Sequence, residues 1–258
     1  MTRPENSPKI EIERLDTVDS TNLHARRLID AGAFGNAPRL FVALEQTGGV
    51  GRFGREWASP LGGIWLTLGW PVIASAPSVL EGLGLRVGLA LLHAIDHAIA
   101  AHGHAGDVRI KWPNDIMIHG RKVAGVLCEA FTIGENSFIL IGAGINGNFP
   151  VTALPDELRV YATTLMDEVG SRVNLDRLCD DLVARLAEAL TTSGITKARI
   201  SAIERRMYGV GEPISVTLPN GKTLTGTLLG LTTDGRLRFQ TADGEVVLPS
   251  GAEMVMGR

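Results

Sequence analysis

Between Gly48 and Arg55 the chain reads Gly-Gly-Val-Gly-Arg-Phe-Gly-Arg. Four glycines leave backbone N–H groups uncovered, and Arg52 and Arg55 add two guanidinium groups, a combination that suits an anionic ligand. The spacing matches neither the dinucleotide pattern G-x-G-x-x-G nor the Walker pattern ending in Gly-Lys-Ser/Thr. A plain surface connection is the alternative. Further on, Lys111-Trp112-Pro113-Asn114-Asp115 sets a cation, an aromatic face, an amide and a carboxylate side by side where a strand stops, with Pro113 fixing the turn. Singly, Lys111 and Asp115 read as solvated charges and Trp112 as a core anchor; together at a strand end they point to a site. Lys122 then opens a run of small and apolar residues through Leu127 that lets a ligand approach the backbone, although a snorkelling lysine would look the same. Gly142-Ala143-Gly144-Ile145-Asn146 packs tightly and turns, leaving Asn146 as a polar reader.

Periodicity indicates which elements hold these residues. Residues 9–18 alternate as a strand, and Asp19-Ser20-Thr21-Asn22 supplies N-cap chemistry for a helix reaching about Ala31. A short apolar run at 40–44 leads into the glycine-rich loop. Residues 64–70 read as a strand, 79–101 as a long helix, and Val108–Lys111 as a strand stopped by Pro113. Asp115–Ile118 and residues 122–131 form a hairpin across His119-Gly120, with 137–142 pairing next. Leu175, Leu178, Leu182, Leu186 and Leu190 recur at helical steps, and a second helix covers 197–207. After Gly211 short β runs are punctuated by Asn220-Gly221, Asp234-Gly235 and Asp243-Gly244, all hairpin signals. These residues make a small β-barrel-like unit, suited to covering a site or a partner. The expected fold is α+β, with a central mixed sheet flanked by helices in residues 1–210 and the small β unit in 211–258.

At 258 residues, 45% hydrophobic and 21% charged, the chain can bury a full core without disulfides or metals. A net charge of −3 gives no reason to expect a nucleic-acid partner, DNA included. The start, residues 1–13, is polar and lacks the pattern of a secretory signal. The most apolar window, 83–101, contains Arg86, His93, Asp96 and His97 and reads as a buried helix, so no membrane partner is expected. Cys128 and Cys179 form no disulfide framework and no zinc spacing, which fits a reducing cytoplasm. His93 and His97 lie one turn apart without a signalled third ligand.

Asp19 to Asn22, residues 45–57, Lys111 to Asp115, residues 122–127 and residues 142–146 resemble the biotin protein ligase family in order and approximate spacing. Lys-Trp-Pro-Asn-Asp is the most specific of these motifs, and with the C-terminal β unit the resemblance spans nearly the whole chain. It implies a class II synthetase-like biotin/lipoate ligase fold with an SH3-like β-barrel. The implied reaction is the ATP-dependent conversion of biotin to biotinyl-5'-AMP, then transfer to a lysine of a biotin carboxyl carrier domain. Multifunctional members begin with a helix-turn-helix repressor domain; only 18 residues precede Asp19, so that domain is expected to be absent.

Position by position, Ser20, Thr21 and Gln46, with Asn22 in the same motif, resemble residues that read the ureido ring and line its pocket. Gly49 and Gly125 resemble backbone positions against the ligand. Arg52 resembles the arginine on the adenylate phosphate, and Lys122 the lysine bridging biotin carboxylate and α-phosphate. Arg55, Trp57, Asn114, Asp115 and Asn146, together with Lys111, match the nucleotide, pyrophosphate or magnesium side. The catalytic set implied is Lys122, Arg52 and Asp115, with Mg2+ held mainly through the phosphates of ATP.

The need for cations is elementary. A carboxylate must approach a polyphosphate, and two unit charges 4 Å apart repel by about 4 kcal/mol at an effective dielectric of 20. Lys122, Arg52 and Mg2+ would offset that repulsion, and Asp115 would orient or deprotonate the incoming amine. Two other readings compete. A lipoate or octanoate ligase or transferase shares this fold, and a transferase would need a cysteine thioester; Cys128 is the candidate, against a buried inert thiol. A biotin-binding module with weakened ligation is suggested by Val50, because family loops commonly carry an arginine two residues before the position of Arg52. Retention of Lys122 and Arg52 weighs against it. A monomer and a homodimer both fit the sequence.

Overall fold

The structure is a computed structural model, and it describes residues 9–72, 80, 82–104, 106–192, 194–249 and 251–255. The first eight residues and Val79, the expected start of the long helix, lie outside the described residues.

The first unit contains strands β1 (Glu11–Val18), β2 (Arg39–Gln46), β3 (Ile64–Val72), β4 (Val108–Lys111), β5 (Asp115–Ile118), β6 (Arg121–Ile133) and β7 (Asn136–Ile145). Its helices are α1 (Thr21–Asp30), α2 (Leu83–Ala100), α3 (Asp156–Arg159), α4 (Leu165–Val169), α5 (Leu175–Thr191) and α6 (Lys197–Arg205). The strands form one sheet in the order β1-β2-β3-β7-β6-β5-β4. Because α1 carries the chain across from β1 to β2, that pair is parallel, and every other pair is antiparallel. His119 and Gly120 both have positive φ, 49° and 77°, the backbone twist that lets a two-residue turn join β5 to β6.

Both faces of the sheet are covered. Along β7, Ile139 and Ile141 enter the main core with α2 and α5, while Phe138 and Leu140 point the other way into a cluster with Phe41, Ala25, Ile29 and Phe34. Period-two alternation thus feeds two apolar layers from one strand. Arg86, Asp96 and His97 of α2 each meet a polar partner. Buried Arg86 donates to Ala189 O and Thr192 O at the end of α5, Asp96 meets Arg206 at 3.0 Å, and His97 lies 3.3 Å from Asp181. The helix is long and apolar enough to cross a membrane, yet 67% of it is buried inside the protein, as expected of a core helix.

The cap expected for α1 works differently. Ser20 occupies the N-cap position with extended backbone but makes no side-chain cap bond. Asp19 accepts from Ser20 N instead and pairs with Arg27 at 2.7 Å, which holds its carboxyl down at about 2. Helices α3 and α4 were not expected. Each is too short to display a period, although Thr164 caps α4 by accepting from Asp167 N and left-handed Gly170 ends it.

The second unit is a five-stranded antiparallel sheet in the order β11-β10-β9-β8-β12, made of β8 (Pro213–Thr217), β9 (Thr223–Leu231), β10 (Leu237–Thr241), β11 (Gly244–Val247) and β12 (Glu253–Met254). Its hairpins turn at Gly221, Gly235 and Gly244, all at positive φ. Val216, Leu228, Leu237 and Phe239 belong to the same apolar cluster as α2, so one core runs through both sheets. Ile110 of β4 exchanges backbone hydrogen bonds with Arg206 and Tyr208, each 2.8 Å, where the chain runs from α6 toward the second sheet. Trp112 Nε1 donates to Gly235 O of that sheet's β9–β10 turn at 3.3 Å. Trp112 is therefore an anchor between the two sheets.

Candidate active site

A cavity of about 280 Å3 opens where the glycine-rich loop crosses the ends of β5, β6 and β7. Each wall comes from a different part of the chain: Thr21 and Asn22 from α1, Gln46 from the end of β2, Lys122 and Gly125 from β6, and Gly142 and Gly144 from β7. Leu154, Leu158, Tyr161 and Ala162 close one side. That wall is tied to β6 by the backbone, since Lys122 N donates to Tyr161 O at 2.7 Å and Thr163 N donates to Lys122 O at 2.9 Å.

One end of the cavity is neutral and ordered by hydrogen bonds whose direction can be assigned. Thr21 N donates to Gln46 Oε1 at 2.8 Å, so the Gln46 amide nitrogen must face Ser59 Oγ, also at 2.8 Å. Asn22 Nδ2 donates to Glu129 Oε2 at 3.0 Å. A carboxylate only accepts, so Asn22 Oδ1 is turned toward the hydroxyl of Thr67, which donates to it and also lies 2.8 Å from Thr21 Oγ1. Both amides, Gln46 and Asn22, are therefore oriented before a ligand arrives.

The other end is charged. Lys122 Nζ pairs with Asp115 Oδ1 at 2.7 Å and stands over the Trp57 ring, 4.8 Å from its centroid. Arg52 Nη1 donates to Asn114 Oδ1 at 3.2 Å, while Asn114 Nδ2 is held by Val126 O at 2.8 Å, so the amide aims the guanidinium. Glu253, from β12 of the second sheet, reaches into the same place: it pairs with Arg55 and lies 3.7 Å from Arg52. The Trp57 ring rests on β7, where a Cβ at Gly144 would fall 2.5 Å from Trp57 Nε1. That buried indole N–H has no partner among the described residues. Such a donor is costly unless a ligand acceptor meets it.

Of the residues singled out from the sequence, Thr21, Asn22, Gln46, Arg52, Arg55, Trp57, Asn114, Asp115, Lys122, Gly125 and Asn146 line this one cavity, as does Val50. Three do not. Ser20 is buried at the head of α1. Gly49 is packed beneath the loop, where a Cβ would lie 2.7 Å from Ser59 Oγ, so the loop's own folding explains the glycine. Lys111 faces Asp115 across the β4–β5 pair without lining the cavity, and burial depresses its ammonium pKa from the usual lysine value, with Asp115 opposing. Asn146 contributes from a fixed position, its amide donating to Thr163 O at 2.9 Å. Cys128 is outside the lining, packed against the core, and burial pushes its thiol up to about 12. A thiol so held is a poor nucleophile, which removes the support for a thioester mechanism.

Sequence reasoning missed Thr67, Ser59 and Glu129 behind the neutral end, Glu56 and Glu253 at the charged end, and the wall at 154–162. Thr67 and Glu129 sit within strands that were recognised, and a test of which inward-facing positions are polar would have flagged Thr67. Nothing local distinguishes Glu253.

Residues 19–146 match the model of the Biotin/lipoate A/B protein ligase family, and residues 209–257 match the Biotin protein ligase C terminal domain. The chain is 31% identical to the Biotin--[acetyl-CoA-carboxylase] ligase of Paracoccus denitrificans, over 94% of this chain and 99% of that one. It is 31% identical to the Bifunctional ligase/repressor BirA of Bacillus subtilis, over 89% of this chain and 69% of the relative. Among solved structures, the biotin protein ligase from Aquifex aeolicus in complex with biotin and ATP superposes with a TM-score of 0.78 at 27% identity, covering 96% of this chain and 99% of that one. With its motifs gathered around one cavity and both of its units matched, the chain belongs to the biotin protein ligase family.

Proposed function

We propose that the protein activates biotin with ATP to biotinyl-5'-AMP and transfers the biotinyl group to a lysine of a biotin carboxyl carrier domain. The observation that carries this reading is one cavity with an uncharged, hydrogen-bond-ordered end and an end that carries the ionised side chains, Lys122 and Arg52 among them. A ureido ring is neutral and polar, and burying it requires donors and acceptors already aimed. Thr21, Asn22 and Gln46 supply them. A carboxylate at the far end of the same ligand would then come to Lys122, beside Arg52.

In the first step a carboxylate oxygen of biotin attacks the α-phosphorus, the bond to the bridging oxygen breaks, and pyrophosphate leaves. Lys122 and Arg52 lower the repulsion between the two anions and stabilise the charge that develops. The unpartnered N–H of Trp57 offers a donor to the nucleotide side. In the second step the carrier lysine amine attacks the mixed anhydride and AMP leaves with the bonding electrons. Asp115, the carboxylate that pairs with Lys122 at 2.7 Å, then takes the amine proton.

Three cationic side chains, Arg52, Arg55 and Lys122, and three carboxylates, Glu56, Asp115 and Glu253, line the cavity, so its lining is formally neutral. The polyphosphate charge must therefore be met by an ion that enters with it. No cluster of three or more His, Cys, Asp or Glu suited to an all-protein metal cage occurs among the described residues. Asp115 with phosphate oxygens fits Mg2+, which takes few protein ligands and keeps its waters. When bound, that ion neutralises phosphate charge. The division near residue 210 then has a meaning: the first unit holds the substrates, and the second closes the charged end through Glu253. Two free cysteines suit a reducing cytoplasm.

Pyrophosphate exchange into ATP, run separately with biotin, lipoate and octanoate, tests the reading. Exchange dependent on biotin is expected. Exchange with lipoate or octanoate and none with biotin would overturn it.

A further inference from the structure

The loop turn Arg52–Gly54 stands out from the protein, with Phe53 at φ 58° and 65% exposed. Its backbone bonds are internal: Gly51 N donates to Arg55 O at 2.7 Å and Arg55 N to Arg52 O at 3.2 Å. Both arginines also lie over the Phe53 ring, within the same turn. Among the described residues, the side-chain hydrogen bonds and ion pairs that leave this turn end on only two residues, Asn114 and Glu253. Asn114 takes Arg52. Glu253 takes Arg55 across a sequence separation of 198 residues and lies farther, at 3.7 Å, from Arg52.

The two arginines are thus held unequally. Arg55, itself 64% exposed, pairs through Nη2 with a carboxylate whose side chain is only 26% exposed, whereas Arg52, 20% exposed, lies farther from that carboxylate and is aimed by Asn114. We propose that Glu253 is a positioning residue: by pinning Arg55 to the C-terminal sheet it holds the loop so that Arg52 meets the ligand phosphate. Arg55 then acts as the loop's anchor rather than as a phosphate ligand. This rests on the adenylation reading given above.

Glu253→Gln keeps the shape and removes the charge. The parent's biotin-dependent pyrophosphate exchange is measured first, so a failure there counts against the function, while a failure confined to the variant comparison counts against Glu253. In Glu253→Gln the KM for ATP should rise roughly tenfold, with the KM for biotin unchanged and kcat within about threefold. Tryptic cleavage after Arg52 in the ligand-free protein should accelerate. The exchanged pair Arg55→Glu with Glu253→Arg provides the second arm. Each single change should weaken ATP use, and the pair together should restore it and restore protection at Arg52, an outcome that a general loss of stability would not produce. Unchanged ATP KM and cleavage in Glu253→Gln would overturn the proposal. A double variant as weak as its singles would do so too, because Arg55 would then be needed by the ligand itself.

Discussion

Lys122 Nζ lies 2.7 Å from Asp115 Oδ1 and 4.8 Å from the centroid of the Trp57 ring, so one ammonium is shared between a carboxylate and an aromatic face where the β5–β6 hairpin closes. Its side chain remains 31% exposed at the cavity wall and is not sealed in the core. Lys122→Ala should leave the unfolding transition in place while adenylation, read by pyrophosphate exchange, falls roughly 100-fold or more. Exchange within a few-fold of the parent would make this lysine structural.

Val50 lines the cavity and bridges to Glu56, at the position where the family resemblance leads one to expect an arginine. A charge-assisted hydrogen bond contributes about 1.5–3 kcal/mol, so Val50→Arg should slow release of biotinyl-AMP by roughly ten- to a hundredfold. Release is followed by chasing labelled adenylate with unlabelled biotin and ATP. An unchanged rate would show that Arg52 already holds the phosphate unaided.

Glu129 fixes the direction of the Asn22 amide because it accepts and cannot donate. Glu129→Gln lets that amide turn over, because a glutamine can donate as well as accept and the Thr67 hydroxyl can pair with either orientation, so the group shown to the ligand is no longer fixed. The KM for biotin should rise roughly three- to tenfold, with the KM for ATP unmoved, in steady-state exchange assays. Equal effects on both substrates would mean that Glu129 supports the fold and not the ring-reading end.

Alkaline pH acts on the core through Cys128. Burial pushes its thiol from 9.0 up to about 12, so between those values the folded protein keeps a proton that the unfolded chain releases. The unfolded state then binds fewer protons, and stability falls as pH rises above about 9. Cys179, pushed up to about 11, adds to the slope. Urea unfolding at about pH 8 and about pH 10 should show a shallower loss in Cys128→Ala than in the parent, whatever the variant's absolute stability. Identical slopes would mean that the thiol is more accessible than its packing indicates.

Most strands and the long helices were legible because they are long enough to show a period, and because Asn220-Gly221, Asp234-Gly235 and Asp243-Gly244 mark turns chemically; the two-residue β12 was not expected. The short helices α3 and α4 carry no readable period; only the Thr164 cap and Gly170 mark the second of them. Within the site, motifs identified the neighbourhood but not the direction of each side chain. Lys111 and Asp115 share a motif and face each other across a strand pair, yet only Asp115 reaches the cavity. Ser20 precedes Thr21 by one residue and, at the start of a helix, that step turns it away from the pocket. Glu253 arrives from a distant strand, and no local pattern could connect it to Arg52.

A single apolar cluster passes from Leu91 and Ile95 of α2 to Leu228 and Phe239 of the last sheet. Because a ribosome delivers the chain from its N-terminus, α2 leaves the exit tunnel well before β9 and β10 have been made. Until they follow, the protein's most apolar helix must wait with part of its covering missing, and a chain stalled in that interval is a natural client for a holdase chaperone. The same dependence makes the C-terminal sheet a point of disposal: a protease that trims strands there strips shelter from the shared core and withdraws the whole enzyme instead of leaving a working fragment.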